Sequence, residues 1–198
     1  MASIKTDVIG SFNGLLEDQK KVGDQATITM AQFASGFFEK TYSGSKLANA
    51  EPLTESSYSP SGNTPLLDSI SKLVAETAAW IGEQDTEPSS VIFAIITDGQ
   101  ENSSRECNRA TIKALIEEKT KAGWAFTFLG ANMDAIAEAG SLGIARDASI
   151  TFRADGAGYS GAVQSLSSNV AGIRGGVQSS VHYSQSDRDE QKGAPDKK

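Results

Sequence analysis

Residues Val91 to Thr97 read VIFAIIT, six apolar side chains in a row followed by a threonine. A strand with one face in water alternates apolar and polar residues. An unbroken run of branched and aromatic side chains instead marks a strand covered on both faces, as in a parallel sheet between helix layers. The flanking segments have helical spacing. Pro65 to Ile81 places Leu66, Ile70, Leu73, Val74 and Ile81 on one side, and Glu106 to Ala122 carries Ile112, Leu115 and Ile116. A buried strand between two amphipathic helices predicts an α/β domain built from crossover units.

The same reading extends in both directions. Ile4, Val8, Ile9, Phe12, Leu15 and Leu16 fall at helical spacing, with Gly23 as a stop signal. Ala26–Phe33 and Phe37–Tyr42 read as strands, and the short Ala34-Ser35-Gly36 link makes them an antiparallel hairpin. Residues 43–63 are rich in Ser, Gly, Pro and Asn and predict a long loop, a length that points to function in a compact domain. Beyond Ala122 come a strand Trp124–Leu129, a short helix near Ala135–Ala139 and a strand Ser149–Phe152. A last helix runs from Tyr159 to about Ile173, ended by Gly175-Gly176. Residues 177–198 are polar and mixed in charge, and predict a disordered tail behind a domain of residues 1–176. The expected fold is doubly wound, with a mostly parallel sheet and one antiparallel edge strand. Such a domain normally opens on a strand, and this chain opens on a helix.

Composition narrows the function classes. Lys and Arg number 18 against 25 Asp and Glu, a net charge of −7, so no basic stripe invites nucleic acid or an anionic membrane. One cysteine, Cys107, forms no internal disulfide and suits a reducing compartment. One histidine, His182, cannot build a His-rich zinc site, and any Ser-His-Asp or Cys-His device would depend on it. A metal site must then rest on oxygen ligands, which favours Mg²⁺, Mn²⁺ or Ca²⁺. No apolar run is long enough to span a bilayer, and residues from Met1 onward show no signal-peptide core. A soluble, cytoplasmic protein is the expectation.

Ligands of doubly wound domains sit beyond the carboxyl ends of the strands. Two segments bring polar groups there: Ser61-Gly62-Asn63-Thr64-Pro65 at the mouth of a helix, and Thr97-Asp98-Gly99-Gln100-Glu101-Asn102 behind the buried strand. Each has an ordinary structural explanation. Thr64 before Pro65 is a good helix start, and Asp98-Gly99 is a common turn. On one edge of one sheet, however, a Thr hydroxyl and an Asp carboxylate suit a hard cation.

At this point the chain resembles the von Willebrand factor A (vWA) domain family. SGNTPLLDSI (61–70) and VIFAIITDGQENSS (91–104) are similar to two of its conserved stretches. DVIGSFNGLLEDQK (7–20), ATITMAQFAS (26–35) and WAFTFLGANMD (124–134) also fit, in the right order over about residues 1–176. The likeness is greatest to compact, stand-alone bacterial and phage members. It implies a binding module, not an enzyme, which holds Mg²⁺ or Mn²⁺ and completes its shell with an acidic side chain of a partner protein. The family's metal-ion-dependent adhesion site takes an Asp-x-Ser-x-Ser run, a Thr and a later Asp. Thr64 and Asp98 match the last two. The Asp-x-Ser-x-Ser run is absent, as is the first strand that precedes it, central in the family's sheet.

Two consequences follow from that departure. A cation held by one hydroxyl and one carboxylate keeps most of its waters, so metal binding is expected to be weak or absent. The strands 26–33 and 91–97 would each lose a pairing partner, at about 1–3 kcal/mol for each backbone group left unsatisfied. One explanation is that Met1 is an internal methionine and the natural protein is longer. A truncated, degenerate copy, or a chain completed by a partner's strand, is the other.

Other motifs carry less. Gly156-Ala157-Gly158-Tyr159-Ser160-Gly161 satisfies G-x-G-x-x-G, but it follows the last strand instead of the first. Ser43–Lys46 and Ser69–Lys72 fit S-x-x-K without the companion motifs of β-lactamases. Cys107 near the start of its helix reads as a packed thiol. Two alternatives to the binding module stand: a vestigial, structural vWA-like domain without metal, and a metal-assisted phosphate hydrolase using Asp98 and Glu101. The second needs further carboxylates at neighbouring strand ends, for which Asp134 is the clear candidate.

Overall fold

The computed structural model describes residues 1–23, 25–60 and 62–192. The chain is α/β. Helix α1 (Lys5–Val22) leads into strands β1 (Thr27–Ala34) and β2 (Phe37–Lys46). Helix α2 (Leu66–Gly82), β3 (Val91–Thr97), α3 (Arg109–Lys121), β4 (Trp124–Ala131), α4 (Ala135–Ser141), β5 (Ser149–Phe152) and α5 (Gly156–Arg174) then alternate, and α6 (Gln185–Glu190) follows. The expected order of elements and the bounds of β3 and β5 agree with the sequence pattern.

β3, β4 and β5 form a parallel sheet in that order, in register from Val91 opposite Trp124 and from Phe128 opposite Ser149. β1 and β2 form a separate antiparallel hairpin, turning at Ser35-Gly36. Among the described residues β1 pairs only with β2, and β3 only with β4. Three helix pairs pack together, α1 with α5, α2 with α3 and α5 with α6. The main core gathers Phe93, Phe126, Phe128, Leu129, Ile150 and Phe152 from the parallel sheet with Ile70 and Val74 of α2 and Ile112 and Ile116 of α3. A smaller cluster of Leu16, Tyr42, Leu47 and Ala50 sits under the hairpin.

Four expectations need correction. Residues 43–63 are not one loop: β2 continues to Lys46, a 3₁₀ turn covers Leu47–Asn49, and Leu53 and Tyr58 are buried. Asn13 of α1 clamps that segment, its amide donating to the Leu53 carbonyl and its oxygen accepting from the Leu53 N–H. Ser and Gly supplied the polar signal, but a few apolar anchors were enough to dock the segment. Thr64 does not cap α2, because Pro65 occupies the N-cap position and has no side-chain acceptor.

The third correction concerns residues 177–192, which are not a disordered tail. Val181 and Tyr183 are buried, and the Tyr183 hydroxyl is 2.9 Å from the Thr127 hydroxyl beneath β4. Ser184 and Asp187 close a capping box that starts α6. Two anchors in a polar stretch escape a composition argument. Residues 193–198 lie outside the described residues. The fourth concerns β3, which is not covered along its whole length: Phe93 and Ile95 are buried, while Ala94 is exposed and Ile92 and Ile96 are half-buried.

Candidate functional site

The carboxyl ends of β1 and β3 lie at the same end of the molecule. The Ser35 N–H, just past β1, donates to the Asn63 carbonyl at 3.1 Å. One residue on, Thr64 meets the loop after β3. Its N–H donates to Asn102 Oδ1 at 2.8 Å, and its carbonyl accepts from the Asn102 N–H at 3.2 Å. Gly99 completes the approach. A Cβ placed there would lie 2.7 Å from the Thr64 hydroxyl, so only glycine lets the two loops come this close. Thr97 turns its hydroxyl onto the same loop and donates to the Gly99 carbonyl at 2.8 Å. The geometry therefore brings Thr64 and the Asp98-Gly99 turn together, as the motif reading expects. Ser61 lies outside the described residues.

The acidic groups around this edge divide into two kinds. Glu101 is fully engaged. Its Oε1 accepts from the N–H groups of Ser103 and Ser104, and its Oε2 from the Leu67 N–H and the Ser104 hydroxyl. Its bond from Leu67, with the Ser104 hydroxyl accepting from the Leu67 and Asp68 N–H groups, also satisfies open amides at the start of α2, the role that Thr64 does not fill. Burial pushes the Glu101 carboxyl up, but the Ser104 hydroxyl and the backbone donors outweigh it and hold it below its ordinary value. Asp68 is occupied in the same way, accepting from the N–H groups of Arg105, Glu106 and Cys107. Asp134 caps α4 through the Ala137 N–H at 2.9 Å. Asp98 differs. Its half-exposed carboxylate meets the Met1 ammonium, whose pKa burial lowers.

A resident Mg²⁺ takes near-octahedral oxygen coordination and dehydrates reluctantly. The side chains brought together here supply one carboxylate and one hydroxyl. The neighbouring carboxylates of Glu101 and Asp68 already serve backbone amides. Among the described residues no group of three or more His, Cys, Asp or Glu side chains could hold a metal ion. Thr64 and Asp98 alone do not fit a tightly held divalent cation. The carboxylates that phosphate hydrolysis would draw on, Glu101 and Asp134, are committed to loop and helix starts.

The G-x-G-x-x-G segment opens α5, and its glycines serve packing. A Cβ on Gly156 would meet the Asp7 carboxylate at 2.5 Å, and one on Gly158 the Arg153 carbonyl at 2.5 Å. Cys107 is free and half-buried. No described helix is long and apolar enough to cross a membrane. Comparison with protein-family models, with curated proteins and with solved structures found no match.

Proposed function

We propose that this chain is a cytoplasmic, vWA-type protein-binding module, not an enzyme, in which Thr64 and Asp98 form half of a divalent-cation site. The observation that carries the reading is the clamp between the two loops. Asn102 holds Thr64 through two hydrogen bonds, and Gly99 lies directly against the Thr64 hydroxyl. The clamp supports the reading because it holds Thr64 against the Asp98-Gly99 turn, at the edge where such folds bind ligands. A partner protein would engage this edge through an acidic side chain once the remaining cation ligands are supplied. Nucleic acid and membrane surfaces are poor partners for a chain of net charge −7.

Thermal melts with and without millimolar Mg²⁺ or Mn²⁺ test the reading. The chain of residues 1–198 should shift by less than about 1 °C, since two ligands give little linkage. A chain extended before Met1 by an apolar strand and an Asp-x-Ser-x-Ser run should rise by roughly 5–10 °C at saturating metal. Asp98→Ala should abolish that rise. A large shift in the unextended chain would overturn the half-site assignment. An extended, folded chain that ignores metal would overturn the module and favour the second reading, a structural vWA-like domain, which the thin donor set also supports.

A further inference from the structure

Residues 181–191 run past β5 and along α5, and they meet the rest of the molecule through a short series of fitted groups. Val181 and Tyr183 are buried, and the Tyr183 hydroxyl lies 2.9 Å from the Thr127 hydroxyl of β4. The Tyr183 N–H donates to the Asp147 carbonyl, just before β5, at 2.8 Å. From α5, Asn169 Oδ1 accepts the His182 N–H at 2.7 Å, and the Ser165 hydroxyl donates to Asp187 Oδ1 at 2.6 Å. Just after β5, the Arg153 N–H donates to Gln191 Oε1 at 3.3 Å. Three observations mark this stretch as a docked piece and not as part of a layer. Among the described residues, one backbone–backbone bond, from Tyr183 to Asp147, joins residues 179–192 to the rest, so the segment can leave without breaking a ladder. Its own structure is local, since Ser184 and Asp187 cap α6 from inside the segment. Its tether, residues 175–180, lies on the surface except for half-buried Gln178, with Val177 84% exposed and Gly176 at a φ of +70°.

We infer that the face beneath residues 181–191 is a docking groove, and that the partner it fits in trans is the same segment of a second copy of this chain. Recognition is by side-chain chemistry: two apolar anchors, Val181 and Tyr183, followed by the Asp187 carboxylate on Ser165. Each of these contacts pairs a residue of the segment with one of the body. A segment arriving from a neighbouring copy therefore reproduces all of them, and two copies that exchange segments form a closed dimer. The six tether residues span up to about 20 Å when extended, a reach that lets the segment cross to a neighbour. Closure within one chain wins in dilute solution, because a short tether gives an effective concentration on the order of 1 mM. Shortening the tether removes that advantage and leaves exchange as the way to fill the groove. None of these contacts involves Thr64 or Asp98, so the groove stands apart from the cation reading.

Light scattering on full chains tests the inference, at about 10 µM protein, far below that effective concentration. The chain of residues 1–198 should run as a monomer of 20.8 kDa. Removing Val177, Gln178 and Ser179 takes about 10 Å from the tether and should give a species of twice the monomer mass. Adding Tyr183→Ala to the shortened chain should lower the dimer fraction by about 10-fold or more, since the segment then lacks its main anchor. A shortened chain that folds as a monomer would overturn the groove as a site for exchange. So would a dimer that survives Tyr183→Ala, because another face would then hold it. Should the shortened chain not fold, a fluorescent peptide of residues 177–192 added to the unaltered chain decides. At about 100 µM, and after overnight equilibration, it should fill roughly a tenth of the grooves against the chain's own segment. Unlabelled peptide should displace it, and a Tyr183→Ala peptide should not. No capture, or equal displacement by both peptides, would overturn the inference.

Discussion

β4 and β1 are strands of equal length and similar composition, WAFTFLGA and TITMAQFA, and they fare very differently. β4 has a partner on each side, and six of its eight residues are buried. β1 has one partner, and only Ala34 is buried, although Ile28, Met30 and Phe33 are as apolar as anything in β4. β3 stands on the boundary and shows both states, with Phe93 and Ile95 buried and Ala94 exposed. The difference lies in the neighbours and not in the residues. An apolar side chain on a strand is buried by what lies beside the strand as much as by the helix above it. One flank of this molecule is closed, and the other stands open beside a cavity of about 1370 Å³.

The largest test of that contrast removes the segment that seals the closed flank. Ending the chain after Gly176 deletes Val181 and Tyr183, both buried, and the Tyr183 bond to Thr127 of β4. A loss of about 3–6 kcal/mol in urea unfolding is expected, from two fully buried side chains. A disordered tail would cost nothing. Next, Phe128→Ala in β4 should cost about 3–5 kcal/mol, since Phe128 is completely buried. Phe33→Ala on the open flank should cost about 1–2 kcal/mol, because Phe33 is already half in water. Equal costs would erase the distinction.

Glu101 tests the edge where the open flank meets the loops. Glu101→Ala strips acceptors from three backbone amides and should cost about 2–3 kcal/mol. Its pH dependence has a definite sign. The folded carboxyl titrates below its ordinary 4.5, so its contribution is present above about that pH. The contribution is lost as pH falls through the depressed value. Glu101→Gln should flatten acid unfolding in that window while leaving stability at pH 7 lower. Added bulk separates the two flanks again. Ala131→Val, in buried β4, should cost about 1–3 kcal/mol by overpacking. Ala94→Val faces the gap and should change stability by about 0.5 kcal/mol or less.

Much of the fold was legible because its signals are local. Periodicity marked α1, α2 and α5, and the unbroken run of β3 and the Ser35-Gly36 turn were visible directly. The misread parts share one cause. Leu53 and Tyr58 in a polar loop, and Val181 and Tyr183 in a polar tail, are single anchors whose pockets are made by distant segments. Thr64 was placed correctly at the sheet edge but given the wrong local task. The cap of α2 comes from Glu101 and Ser104, more than thirty residues away, and no pattern around Pro65 announces that. For Asp98 the neighbouring residues could not show that its carboxylate meets the Met1 ammonium.

Apolar spacing along the chain, with one histidine and one cysteine, was enough to establish an α/β domain and to restrict any metal site to oxygen ligands. Those properties depend on residue type and on neighbours a few positions apart. Which carboxylates remain available and which are consumed by backbone amides was decided by folding, because Asp68 at the start of α2 meets amides of residues 105–107, and Glu101 meets the Leu67 amide of α2. The gap between β1 and β3 belongs to that second kind. The pattern along each strand says nothing of which elements flank it, and only their placement shows that a cavity of about 1370 Å³ separates them.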